Sequence, residues 1–337
     1  SEYMFRVRYD LATATPWHPA GMPVAWDEMA LPWGKRAPVS LPHGATPAGF
    51  LETPDAIIVR AGDLTASICK VRGVMTSLKH NESDWLCTPL RLNFWRPTTN
   101  NDEGAKLHHK LKQWQYAGQR STAESIVAVM DGADVVVKAR LAVPVGASSA
   151  ALNYRFTAAQ AILIDAEVLP AKGMPDLPRV GLSAEIPNGI SSWKWFGKGP
   201  HENYPDRNAG AWTAVHEGMV STLFHRYTDP QEAGLRTELR WSTLSNPMGG
   251  SAIRIESADS STFQMSVQPF RSEDLTYAMH PVELGNSSVN TLNLDHRHSG
   301  LGGSDSWGAR ALDKYLIRSG TPYRWSTQFS FTVTPKP

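Results

Sequence analysis

The last strand-like run of the chain reads Tyr323, Arg324, Trp325, Ser326, Thr327, Gln328, Phe329, Ser330, Phe331, Thr332 and Val333, apolar and polar side chains alternating with a period of two. That period suits a strand, whose successive side chains point to opposite faces, and does not suit an amphipathic helix, whose apolar positions recur every three to four residues. The same alternation covers residues 3–9, the set Leu152, Tyr154 and Phe156, the set Ile162, Ile164, Ala166 and Val168, and the run Phe263, Met265, Val267. Val/Ile/Ala-rich runs from Ser125 to Met130 and from Val135 to Val143 flank Asp131-Gly132, a strong hairpin signal. Ala56 to Val59 and Leu64 to Val71 flank Ala61-Gly62-Asp63, and Val74 to Leu78 follows Gly73. Helical signals are confined to Lys106–Tyr116 and Ala309–Ile317, and no internal repeat is present.

These patterns predict an all-β chain, a large antiparallel β-sandwich decorated by long loops. A further strand-like patch covers Pro23 to Leu31, and from Leu41 to Pro54 the composition shifts to proline and glycine, with Pro42, Gly44, Pro47 and Gly49. The expected organisation is a remnant of a β domain over residues 1–40, a linker over 41–54 and the sandwich over 55–337. With 337 residues, 41% of them hydrophobic, the chain has ample material for a core. Lys+Arg 33 against Asp+Glu 32 leaves a formal charge of +1, a balance that argues against nucleic acid or an anionic membrane as partner. No apolar run approaches the roughly 18 to 20 residues of a membrane-spanning helix. No basic, then apolar, then small-residue leader opens the chain, which begins within strand-like alternation. Cys69 and Cys87 sit in apolar settings without partners at metal spacing, and are expected to be buried thiols rather than a disulfide.

Four polar, Gly/Pro-rich loops carry the candidate chemistry: TPLRLNFWRPTTNNDEG from Thr88 to Gly104, GKGPHENYPDR from Gly197 to Arg207, PQEAGLR from Pro230 to Arg236, and GLGGSDSW from Gly300 to Trp307. In the last, three glycines in four residues permit backbone conformations that a side chain would forbid, and Trp307 offers a flat ring of the kind that stacks on a sugar. Arg96 and Asp102 read as a structural ion pair or turn cap. His201, Glu202, Asp206 and Arg207 read as structural rather than as an acid/base set, because any polar loop of that length supplies such residues. Asp295-His296-Arg297-His298 resembles metal-ligand spacing but lacks further ligands in the sequence.

GPHENYPDR together with GGSDSW resembles the C-terminal part of the bacterial β-galactosidases of glycoside hydrolase family 2, and the four loops follow that pattern in order. The segment GMPVAWDEMAL, Gly21 to Leu31, resembles the close of the family's fourth, immunoglobulin-like domain. The remainder is similar to its fifth domain, a galactose-mutarotase-like sandwich. The resemblance implies that Trp307 stacks on the leaving sugar of a β-galactoside such as lactose, with Asp305 as a nearby hydrogen-bonding group. It implies that Gly104, preceded by Asp102, opens a mobile segment near the active site, although Lys106-Leu107-His108-His109 departs from the family's pattern.

The resemblance also implies that the two catalytic carboxylates of a retaining hydrolase and the ligands of Mg2+ belong to a (β/α)8 barrel of the parent enzyme, and it admits Na+ at backbone carbonyls of that enzyme. That enzyme is then a homo-oligomer of the cytoplasm or periplasm. This chain by itself is expected to lack hydrolytic activity and to bind no cofactor of its own. Two other readings stay open at this point: a stand-alone galactoside-binding module, and an enzyme like the aldose 1-epimerases, which need a histidine acid and a carboxylate base across the ring.

Overall fold

The computed structural model describes residues 2–34, 36, 46–81, 83–305 and 308–334, which divide into two compact units, Ser1–Val39 and Ser40–Pro337. In the first unit β1 (Tyr3–Asp10) pairs antiparallel with β2 (Pro23–Leu31), Tyr3 opposite Leu31. Its alternating sequence makes the strands, yet no residue of the two strands is fully buried.

The second unit opens with a meander of β3 (Gly49–Glu52), β4 (Ala56–Ala61), β5 (Leu64–Cys69), β6 (Met75–His80) and β7 (Ser83–Asp84), joined by tight turns. The short β8 (Arg91–Asn93) follows. A second meander comprises β9 (Thr122–Asp131), β10 (Asp134–Val143), β11 (Ser148–Phe156) and β12 (Ile162–Leu169), with Asp131 opposite Asp134 at the expected hairpin. Then come β13 (Arg179–Pro187), β14 (Ser192–Gly199) and β15 (Trp212–Met219). The chain ends with β16 (Arg236–Leu239), β17 (Trp241–Ser245), β18 (Gly250–Ser257), β19 (Phe263–Gln268), β20 (Val289–His298) and β21 (Tyr323–Thr334).

Nine strands form one large sheet in the order β15-β14-β17-β18-β21-β12-β11-β10-β9, and β16-β19-β20-β13-β8 form a five-stranded sheet. A continuous apolar core joins these sheets to the β3–β7 meander. It includes Ile57 and Ile68, Val135 and Leu152, Leu182 and Leu294, and the fully buried Trp193 and Trp195. The fold is all-β, as the period-two pattern requires, and among the described residues no helix is long and apolar enough to cross a membrane.

The five-stranded sheet has two unlike faces. Leu92, Leu182, Leu294 and Met265 lie side by side on the core face, whereas Arg91, Ser183, Asn293 and Ser266 form the matching row one residue out of phase. That second face is polar, and the loops that follow the strands are built over it.

Several local expectations are corrected. Gly49–Glu52, inside the expected 41–54 linker, is strand β3, because Phe50 and Leu51 find partners in Val59 and Ile58. Residues 41–45 of that linker lie outside the described residues. The Lys106–Tyr116 helix is broken into Leu107–Lys110 and a 3-10 turn at Lys112–Trp114, with Lys106 in the left-handed region at φ 56°. Ala309–Ile317 contributes only the 3-10 turn Asp313–Tyr315. Both cysteines are free, but Cys69 is half-buried at the edge of β5 and Cys87 is exposed in a loop, so neither is a core thiol.

Candidate functional site

The four candidate loops meet beside the C-terminal end of β20. After Arg91–Asn93 the chain reaches Arg96 and enters a short helix, Asn100–Gly104. Thr99 caps it: its hydroxyl accepts from the Asp102 amide at 3.1 Å, and the Asp102 carboxylate accepts from the Thr99 amide at 3.1 Å. The same carboxylate receives a two-pronged hydrogen bond from Arg96, 3.0 and 2.7 Å, and both side chains are buried. Arg96 also donates to the carbonyls of Ser299 and Gly300, at 3.1 and 3.3 Å. One guanidinium thus ties the helix to the start of the glycine-rich loop.

Asp206 holds that loop from the other side, accepting from the amides of Leu301 and Gly302 at 3.0 and 2.8 Å. The two feet of the following excursion are pinned to each other: Gly303 N donates to Ala309 O, and Asp305 accepts from Ala309 N at 3.0 Å. Gly308, at φ 92°, lies so close to the preceding helix that a Cβ there would sit 2.5 Å from the Gly104 carbonyl oxygen. Glycine is required at that point for both reasons. Asp305 is exposed, Gly104 is exposed beside Gly308, and Asp102 is buried in its ion pair. Trp307 itself lies outside the described residues.

Beneath the loop is a cluster of buried charges. Arg179, at the start of β13, donates to Asp295 at 3.1 and 2.7 Å, and its Nη1 lies 3.7 Å from Glu232. Arg96 and Arg179 balance Asp102 and Asp295, so Glu232 would be a surplus anion. Burial raises its pKa to about 7, against the opposing pull of Arg179 and Arg96. Burial likewise raises Asp295 to about 6, opposed by Arg179. His298 Nδ1 lies 2.8 Å from the Ser299 carbonyl, which assigns its proton there, and Nε2 faces Glu232 at 3.9 Å. Burial, reinforced by Arg179 and Arg96, keeps this imidazole neutral well below its ordinary pKa.

The rest of GPHENYPDR serves the scaffold. Glu202 accepts from Arg207 at 2.8 Å, from the Gly234 amide at 2.7 Å and from the Tyr227 hydroxyl. Asn203 receives the Thr237 amide at 3.0 Å and donates to the His201 carbonyl at 3.0 Å. His296 and His298 do not converge on a ligand. A bulge in β20 opposite Val180 and Gly181, with His296 as the extra residue, places Asp295 and His298 in the buried cluster, whereas His296 stacks on Trp325 with centroids 5.4 Å apart. Among the described residues no group of three or more His, Cys, Asp or Glu is arranged to hold a metal ion. Sequence reasoning missed Arg179 and Glu232; Glu232 lay in a loop already singled out, but nothing in the sequence pairs it with an arginine 53 residues earlier.

Fold and loops define a β-sandwich domain that presents a glycine-rich rim on a platform of buried ion pairs. The Beta galactosidase small chain family matches residues 60–331, and the chain belongs to that family. Beta-galactosidases are similar over nearly its whole length. That of Priestia megaterium is 28% identical over 336 residues, 99% of this chain and 32% of the relative. That of Lactobacillus delbrueckii subsp. bulgaricus is 27% identical over 317 residues, 94% of this chain and 30% of the relative. The chain therefore spans about a third of the length of these curated relatives. Among solved structures, galactose 1-epimerase from Lactobacillus acidophilus NCFM is similar with a TM-score of 0.49 at 6% identity, over 86% of this chain and 99% of that one.

Proposed function

We propose that this chain supplies the aglycone-side wall of a β-galactosidase active site. Trp307 stacks on the leaving sugar of a β-galactoside such as lactose, and Asp305 is its polar neighbour. The observation that carries the reading is the double anchoring of the Gly300–Asp305 loop, by Asp206 and by Arg96, which fixes the approach to Trp307. A rim whose residues 300–302 are held at several points costs little entropy to order on binding.

Retaining hydrolysis needs two carboxyl groups about 5 Å apart with access to the anomeric carbon. Four of the loop carboxylates are otherwise engaged: Asp102 with Arg96, Glu202 with Arg207 and Gly234, Asp206 with the rim, and Glu232 buried. In this reading the catalytic pair and the Mg2+ site belong to a (β/α)8 barrel outside this chain, in a parent enzyme that also takes Na+ and assembles as a homo-oligomer. The chain alone is inactive.

Kinetics of the full-length enzyme carrying Trp307→Ala test this. The KM for lactose should rise about tenfold, as loss of one stacked ring predicts. An unchanged KM for lactose, or release of galactose from lactose by the isolated chain above the buffer rate, would overturn the proposal.

A further inference from the structure

The polar face of the five-stranded sheet is not filled throughout. Beside β8 and β13 it forms the floor of a cavity of about 440 Å³. That is within the roughly 300–1,000 Å³ of small-molecule sites. Arg91, Ser183, Glu185 and Thr291 line the floor, on the register rows that pair Arg91 with Ser183 and Glu185 with Thr291. One wall is the helix Ser272–Tyr277, and the other is the segment from Gln115 to Gln119. The two walls are joined by a hydrogen bond between the hydroxyls of Tyr116 and Tyr277, 2.8 Å. The second wall sits directly on β8: a Cβ at Gly118 would lie 1.8 Å from the Leu92 carbonyl oxygen.

Thr291, Asn93 and Thr88 are hydrogen-bonded within the fold, but other polar groups of the cavity are not. Arg91 is half-buried, which pulls its guanidinium below its ordinary pKa, and among the described residues its side chain has no hydrogen-bond or ion-pair partner. Glu185 and Glu273 act on it only through space. The Glu185 carboxylate has one ion-pair contact among the described residues, Arg271 at 3.7 Å, too far for a hydrogen bond. The Ser183 hydroxyl has no partner among the described residues, nor has the buried Nε1 of Trp95, which is also in the wall. By contrast, the deeper Arg96 and Arg179 are each paired with a carboxylate, and the buried Arg236 donates to three backbone carbonyls. A half-buried guanidinium fork with no carboxylate hydrogen-bonded to it is complementary to a planar anion. A carboxylate that accepts no hydrogen bond and a hydroxyl without a partner on the same floor are complementary to ligand hydroxyls.

We propose that this cavity binds a small polyhydroxylated carboxylate of the sugar-acid class, its carboxylate on Arg91 and its hydroxyls on Glu185 and Ser183. None of the lining residues belongs to the glycine-rich rim, so the inference stands apart from the proposed function. Isothermal titration of the chain with D-galactonate tests it, with D-galactose and acetate as parallel probes. Galactonate should bind saturably with a Kd near or below about 1 mM, and each of the other two at least about tenfold more weakly. Arg91→Lys keeps the charge but not the fork, and Glu185→Gln keeps the shape but replaces the charged acceptor by a weaker neutral one and adds a donor. Each should weaken galactonate at least about fivefold, with the melting temperature of each variant serving as the check of folding. The absence of saturable heat with galactonate, affinity for acetate equal to that for galactonate, or unaltered binding in both folded variants would each overturn the proposal.

Discussion

Glu232 shows how a single residue's surroundings set its chemistry. Its side chain is fully buried, with Arg96 and Arg179 already balanced by Asp102 and Asp295, so an ionised Glu232 adds an uncompensated charge. Its folded pKa of about 7 lies above the ordinary 4.5. Between those values the folded chain retains a proton that the unfolded chain has released, so this group lowers stability as pH rises through that window. The full effect, reached above pH 7, is about 3 kcal/mol. His298 acts in the opposite direction. Below its ordinary pKa of 6.5 the unfolded imidazole takes up a proton that the buried one refuses, and stability falls on acidification. Comparing wild type with Glu232→Gln by urea unfolding isolates the first effect. The stability of the variant relative to wild type should rise by about 3 kcal/mol between about pH 4.5 and about pH 8. A difference that stays flat with pH would show that Glu232 carries no raised pKa.

At the scale of elements, Asp206 is the link between the GPHENYPDR turn and the rim. Asp206→Ala leaves the Leu301 and Gly302 amides without their acceptor. The expected cost is about 2 kcal/mol, since hydrogen bonds to a charged acceptor are among the stronger ones. Hydrogen exchange should report faster exchange in residues 300–305 and unchanged protection in β20. Equal exchange in both forms of the protein would mean that Arg96 suffices to hold the loop. The strands that frame these loops were legible because a half-buried strand writes its burial into a period-two pattern; Leu152, Tyr154 and Phe156 are buried as read. The buried cluster was not legible. Arg179 and Asp295 are 116 residues apart, and a bulge carries Asp295 and His298 to one side although strict alternation would separate them. The Lys106–Tyr116 helix failed for a local reason. Its backbone must turn through a left-handed Lys106, and Gly118 must then meet Leu92 closely, so the sheet dictates the path over the preference of the residues.

Across the whole molecule, hydrophobic burial is very unevenly distributed. The core draws on residues from Ala48 to Phe329, all within the unit Ser40–Pro337, and includes all three of its sheets. In the unit Ser1–Val39, by contrast, β1 and β2 form a two-stranded sheet without a fully buried residue, and Tyr9, Val24 and Trp17 are exposed. Isolated two-stranded sheets are marginal in water at best, because one hairpin cannot bury enough apolar surface to offset the ordering of its backbone. The larger unit should therefore fold by itself and the smaller should not. A chain comprising residues 40–337 is expected to unfold cooperatively, with a melting temperature within about 2 °C of the 337-residue chain. A peptide comprising residues 1–39 is expected to show neither β-sheet circular dichroism nor dispersed amide resonances. Thermal unfolding of both pieces decides the matter. If the shortened chain melts more than about 5 °C lower, or loses its cooperative transition, the smaller unit contributes to the stability of the sandwich and the assignment of the whole core to residues 48–329 is wrong.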